Sequence, residues 1–366
     1  ADMLWPQTPE AQALQALQGE DGSGGAGAAD DDVDGGELGF PVLEADGAEG
    51  AVADPAGVED RQLAEHHPGD GPDDHPRVGG LLLGYAVANM QLYRFAAVEL
   101  APSQYRAQAI SYVTAGGVLA GIIGPTLARW TPDLWVPTFQ ASFAAVVCIH
   151  AIVFVVLGFI EFPRVKAEDV TGAQRPLLQI VTQPTYMVAA AGGMIAFGVM
   201  SFVMAASPLA IVMCGLDKTE APITIFVHVM GMFLPAFFTG HLIQRFGVFT
   251  VMSVGGAILI AGVIVALAGT TEWHFRISLG LNGLGWNFLF VGATTLLTTT
   301  YRPAERGKAQ AFNDFMVFGT TATASLLASV VLELQGWAHL NYVALVLVCV
   351  ALLIVGTFRL RNPARV

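Results

Sequence analysis

The sequence predicts an all-α integral membrane protein with about nine transmembrane helices. Three observations carry that expectation. Of the 366 residues, 54% are hydrophobic and only 13% charged, about half the charged share of a soluble globular domain. From residue 78 onward, nine stretches are apolar for about the 20 residues that a helix needs to cross the hydrocarbon core. The Lys and Arg residues between those stretches fall mostly on one side of them.

The chain opens differently. Residues 1–77 hold 19 Asp and Glu against two basic residues, Arg61 and Arg77, whereas residues 78–366 hold 11 acids and 15 basic residues. The net charge of −13 therefore averages two unlike regions. The first is rich in Gly, Ala, Asp and Pro and has no sustained apolar period. It cannot bury enough surface to offset chain entropy, which predicts a disordered segment. Ala1–Glu20 lacks the basic start and apolar core of a secretory signal. Gly22-Ser23-Gly24-Gly25-Ala26-Gly27 matches a dinucleotide-loop pattern, but no strand precedes it and no helix follows, so no nucleotide site is read there.

The nine stretches are 78–97, 107–128, 137–159, 186–214, 221–243, 248–268, 275–300, 309–333 and 339–358. Gly124-Pro125, Ser207-Pro208 and Pro235 interrupt them, as neighbouring helices allow by satisfying the freed backbone groups. Twelve basic residues, among them Arg94, Arg106, Arg245 and Arg306, lie toward one side. Arg129, Lys218 and Arg276 lie toward the other. That bias puts the carboxy terminus in the cytoplasm. The three cysteines sit far apart in apolar runs, as buried hydrophobes rather than a disulfide or metal framework.

An internal repeat adds a number. Ala107-Gln108-Ala109 enters the second stretch and Ala309-Gln310-Ala311 the eighth; the same offset brings Gly117 onto Gly319. Eight minus two is six, and repeats of six helices build a large class of transport proteins with two pseudo-symmetric halves.

Here the residues resemble the major facilitator superfamily. Thr239-Gly240-His241-Leu242-Ile243-Gln244-Arg245-Phe246-Gly247 looks like the second-half copy of that family's G-x-L-x-D-R-x-G loop, with Gln244 where the first-half version has Asp. Gly121-Ile122-Ile123-Gly124-Pro125 resembles its fifth-helix Gly-Pro signature. Gln91-Leu92-Tyr93-Arg94-Phe95-Ala96-Ala97, with Ala109-Ile110-Ser111 and Ala115-Gly116-Gly117, is similar to a bacterial branch that includes riboflavin-type carriers.

The resemblance implies a twelve-helix bundle of which this chain holds the last three helices of the first half and the complete second half. The expected organisation is a disordered or out-of-frame segment at 1–77, a partial first half at 78–159, a cytoplasmic linker at 160–185, a second half at 186–360 and a cytoplasmic tail at 361–366. It implies a multi-pass monomer in the bacterial inner membrane that moves a small-molecule solute through the lipid bilayer by alternating access, with no cofactor, no metal and no nucleic acid.

Polar residues deep in a span are costly and mark function by default. Asn282 and Trp286 lie four apart on one helical face with Asn287 beside them. An amide beside an aromatic plate suits a planar, hydrogen-bonding solute; glycine-mediated packing with amides bonding across helices accounts for them as well. Asn89 joins the expected substrate set. His228 could couple a proton gradient, or sit as a neutral histidine bonded to a neighbour. Gly240, Arg245, Gly247 and Arg106 would form a cytoplasmic latch, although positive-inside topology also explains the arginines. Asp314 is expected to pair with the nearby Arg302, Arg306 and Lys308 cluster.

The sequence has no P-loop, no H-E-x-x-H and no facing pair of intramembrane aspartates, which speaks against an ATP-driven pump or a membrane protease. Two alternatives to a secondary carrier stay open at this point, a non-functional truncated remnant of one and a membrane-embedded enzyme.

Overall fold

The computed structural model describes residues 75–131, 133–136, 140–159 and 174–361. Most of the acidic segment expected at 1–77, residues 160–173 of the expected linker and residues 362–366 lie outside that set.

Among the described residues all regular elements are helical. Helix α1 is His75–Leu100, α2 Arg106–Ala115, α3 Gly117–Trp130 and α4 Gln140–Gly158. After the short α5, Leu177–Val181, come α6 (Pro184–Met213), α7 (Glu220–Phe233), α8 (Ala236–Phe246), α9 (Val248–Ala268) and α10 (Glu272–Leu297). The last, α11 (Arg306–Arg361), is broken at Gly336, whose φ of 79° no helix accommodates. Helices α2 and α3 continue one another across Gly116, and α7 and α8 across Leu234-Pro235. The described rods therefore follow the nine stretches of the sequence. Among the described residues, six helices are long and apolar enough to span a membrane, the last of them containing the Gly336 break. The first rod begins at His75, three residues before the expected start.

Local chemistry sets these boundaries. Pro184 opens α6 at a position where its missing N–H costs nothing. Gly215 closes it: the Leu216 N–H reaches back to the Ile211 carbonyl at 3.1 Å and that of Gly215 to Val212 at 2.9 Å, the pattern of a left-handed glycine cap. Within α6, the Ser207 hydroxyl bonds the Val203 carbonyl at 2.6 Å, one turn back and next to Pro208.

Packing concentrates on α6 to α11. In lipid, helices associate through close van der Waals contact rather than hydrophobic burial, so small residues line the contacts. A β-carbon at Gly285 would lie 2.8 Å from the Gly255 carbonyl oxygen; α9 and α10 can touch there only because both positions are glycine. The core round them is Phe249, Met252, Leu259, Phe275, Leu279 and Leu289, all buried. Helix α4 is the opposite case: only Ala141 is buried, while Phe143, Val147 and Phe154 are exposed, as suits a surface against hydrocarbon.

Candidate functional site

Two regions gather polar atoms inside this apolar body. One is the seam where α1 and α2 meet α8, α10 and α11. The other is the polar face of α10.

At the seam, α2 presents Ala107, Gln108 and Ser111 to Thr239, Gly240 and Ile243 of α8, all of them buried. The Ser111 hydroxyl donates to the Ala236 carbonyl and accepts the Gly240 N–H at 2.9 Å. The Gln108 amide donates to Gln244 Oε1 at 2.5 Å. Glu99, just before the end of α1, pairs with Arg306 at the start of α11.

Deeper in the same seam, Arg94 of α1 donates to Asp314 Oδ1 of α11 at 2.6 Å and to Gln91 Oε1 at 3.0 Å. Its side chain is 4% exposed and that of Asp314 14%. The guanidinium lies 4.6 Å from the Phe95 ring centre and 4.7 Å from that of Phe290 on α10, distances at which a cation is attracted to a ring face. Asn313 donates to the same Asp314 oxygen at 3.1 Å. The Arg94 Nε is buried without a partner. Asp314 thus pairs not with the basic loop cluster expected for it but with an arginine 220 residues away in sequence.

On α10, Phe290 stacks on Trp286 with ring centres 5.0 Å apart. Phe197 of α6 meets both edge-on, at 5.2 Å and 4.8 Å, and Phe233 of α7 closes on Trp286 at 6.0 Å. Inside this aromatic cage the Trp286 indole N–H has no partner. Asn282, one turn earlier, turns to a small cavity of about 10 Å³ shared with Ser278, Asn341 and Gly262, and its Oδ1 is likewise unpartnered. Asn287 is fully engaged: its amide donates to the Met232 carbonyl at 2.7 Å and its oxygen lies 2.5 Å from the Thr239 hydroxyl. It mends the backbone where α7 breaks before Pro235.

His228 is buried where α7 and α10 run closest, with Nδ1 2.9 Å from the Leu279 carbonyl. A carbonyl only accepts, so Nδ1 carries the proton and Nε2, which is unpartnered, presents its lone pair in the neutral ring. Asn89 is half-buried and donates to Tyr85 of its own helix at 2.8 Å. Gly240 and Gly247 shape the α8 end of the seam, Gly247 through a φ of 82°. Arg106 and Arg245 are exposed, Arg245 lying over its neighbour Phe246.

Outside the spans, Arg175 clamps Glu305 just ahead of α11 with its Nε at 2.8 Å and its NH2 at 2.5 Å. Those bonds, joined by the backbone N–H groups of Arg175 and Arg302, hold the Glu305 carboxyl well below the usual carboxylate range.

Sequence reasoning brought Asn282, Trp286 and His228 forward correctly as buried polar groups, but it missed the Arg94–Asp314 pair, the Gln108–Gln244 contact and the aromatic partners of Trp286. An Arg followed by Phe inside an otherwise apolar stretch was the available signal for the first. Phe290, one turn beyond Trp286, was a local signal for the ring stack; nothing local pointed to Phe197, Phe233 or the Gln108–Gln244 contact, which come from other helices.

Comparison with known proteins bears on this geometry. The model of the Major Facilitator Superfamily matches residues 78–270 and again 189–366. The riboflavin transporter RfnT of Brucella anthropi is 39% identical over 279 residues, which are 75% of this chain and 70% of that protein. The uncharacterized MFS-type transporter YddS of Bacillus subtilis is 26% identical over 72% of this chain and 64% of its own length. Among solved structures, a bacterial homologue of the iron transporter ferroportin in an outward-facing state superposes with a TM-score of 0.57 at 15% identity, covering 75% of this chain and 69% of that one. The transporter FucP in an outward conformation gives 0.57 at 14% identity, covering 73% and 72%.

Proposed function

The chain belongs to the major facilitator superfamily of multi-pass membrane transporters, and on that premise we propose that it carries a planar, hydrogen-bonding organic solute by alternating access. The observation that carries this reading is the Trp286 indole N–H held without a partner inside a cage of Phe197, Phe233 and Phe290. Buried polar atoms normally find partners, and a ring system sliding against Trp286 would supply one. Riboflavin has such a ring system, and the 39% identity to a riboflavin transporter supports a flavin-like solute.

In this reading Asn282 and Trp286 contact the solute, Asn287 supports them from behind, and Asn89 faces the pathway from α1. Residues 78–159 form part of a first half and 186–360 the second half, rocking across the seam at Gly240, with Gly247, Arg245 and Arg106 at its rim. The basic ends lie in the cytoplasm of a bacterial cell, the chain acts as a monomer in the inner membrane, and a proton gradient drives it. His228 and the Arg94–Asp314 pair are the buried titratable groups that could serve that coupling.

Titration calorimetry on the purified chain in detergent tests the solute class. Riboflavin and its isolated ring analogue bind and a hexose does not; equal heats for the hexose, or none for either flavin compound, would remove the support for a planar solute.

A further inference from the structure

We infer that the chain holds one internal water molecule, fixed between Asn282 of α10 and Asn341 of α11, at a site separate from the seam. This goes beyond the transport reading and does not depend on it. The observation is a pair of oxygens. The Oδ1 atoms of both residues are buried without a hydrogen-bond partner, and both residues line the same cavity of about 10 Å³. Asn282 is 4% exposed and Asn341 1%. A space of that size holds about one water molecule, so an occupant touches the whole wall at once. Four helices supply that wall: Val203 comes from α6, Leu259 from α9, Ser278 and Asn282 from α10, and Asn341 from α11 beyond its break at Gly336.

The chemistry of the wall selects the occupant. The Asn341 amide donates to the Trp337 carbonyl at 2.9 Å, which fixes its oxygen as the end left over. An amide oxygen only accepts, so whatever lies between the two residues needs two donors. The Ser278 hydroxyl donates to the Phe275 carbonyl at 3.3 Å, a long bond that its rotation into the cavity gives up at little cost. A water molecule then donates to Asn282 and to Asn341 and accepts from Ser278, the usual number of bonds for a buried water. A metal cation would find only neutral side-chain oxygens and no carboxylate in this wall, whereas calcium takes about six to eight oxygen ligands and magnesium an octahedron. An apolar occupant would leave both amide oxygens unpaired at the full cost of their desolvation.

The oxygen and nitrogen of one amide point apart. Asn282 therefore holds the water with the first and keeps the second for the solute proposed above. The water bridges α10, one turn before Trp286, to the last leg of α11, and a bridging water binds nearly as well as a direct hydrogen bond. The aromatic contact of Phe275 with Trp337, ring centres 5.0 Å apart, joins the same two helices one turn away.

The test uses the purified chain in detergent with no solute present. X-ray radiolysis makes hydroxyl radicals from water where it stands, so a deeply buried side chain oxidises when water is bound beside it. In the parent chain Leu259 is expected to oxidise severalfold faster than Leu279, which is also buried but lies outside the wall of this cavity. Asn282→Leu combined with Asn341→Leu fills the space with methyl groups and is expected to bring Leu259 down to the rate of Leu279. Each single variant strands the other oxygen, so the two single melting losses are expected to sum to more than the loss of the double variant. Melting in sodium, potassium and choline chloride at equal ionic strength separates water from a cation, because a bound cation raises the melting temperature with its own concentration. Equal oxidation of Leu259 and Leu279 in the parent chain, strictly additive melting losses, or a cation-dependent melting temperature that Asn282→Leu abolishes would overturn the assignment.

Discussion

Gly240 on α8 lies so close to Gln108 on α2 that a β-carbon at position 240 would come within 2.6 Å of the Gln108 Cα. The contact is backbone against backbone, and the Gly240 N–H donates to the Ser111 hydroxyl at 2.9 Å one turn along. Two helices from opposite sides of the seam therefore touch at the one point where neither can yield by moving a side chain.

Gly240→Ala is expected to force the seam apart. Overpacking of this kind costs about 1–3 kcal/mol, so the purified variant should unfold at a lower temperature. Cross-linking between cysteines at 108 and 244 should drop. Unchanged melting and cross-linking would mean the two helices are not held as described.

Gly247→Ala should act differently. With φ 82° and ψ 152°, Gly247 occupies a region open to glycine almost alone, at a cost of about 1–3 kcal/mol for other residues. The strain falls on the turn between α8 and α9 rather than on the seam. Melting should fall while cross-linking between positions 108 and 244 in the fraction that stays folded is retained.

Trp286→Phe keeps the ring stack and deletes the indole N–H. If that N–H is the solute's anchor, the KM for riboflavin should rise by about tenfold, the worth of one hydrogen bond, with the melting temperature little changed. A KM equal to that of the parent chain would mean the N–H meets nothing.

The Arg175–Glu305 clamp sets a pH dependence of stability. The folded-state acidity of Glu305 is shifted down from an ordinary value of 4.5, chiefly by its bonds from Arg175. The stabilisation is present above that ordinary value and is lost as pH falls through the lower folded-state one. Melting measured downward from pH 7 should therefore show a parent-minus-Glu305→Gln difference that is constant near neutrality and shrinks only in strongly acidic buffer. A difference that grows toward acid would contradict the clamp.

How much of this was legible before the structure depends on the range of each interaction. The helices were, because an apolar stretch of spanning length is a local property; Pro235 was visible as an interruption, and the break at Gly336 falls in the gap between the stretches 309–333 and 339–358. The burial of His228, Asn282 and Trp286 was legible for the same reason. The partners were not. The sequence left Asn287 open between facing a solute and bonding across helices, and could not name the Met232 carbonyl of the broken α7 as the acceptor of its amide. Asp314 sits near Arg302, Arg306 and Lys308 in sequence, yet it bonds Arg94. Charge proximity along the chain pointed to the wrong cation, since an α-helix entering a bundle turns its inward face to other helices and not to its own loop.

The central claim is that this chain moves a flavin-like solute past Trp286 by alternating access. Counterflow tests it most directly: proteoliposomes holding the chain are loaded with unlabelled riboflavin and diluted into a trace of labelled riboflavin, with no ion gradient imposed. The account predicts transient accumulation of label that is slowed by Gly240→Ala and needs a higher riboflavin concentration in Trp286→Phe. Label that never exceeds the level in empty liposomes would contradict it.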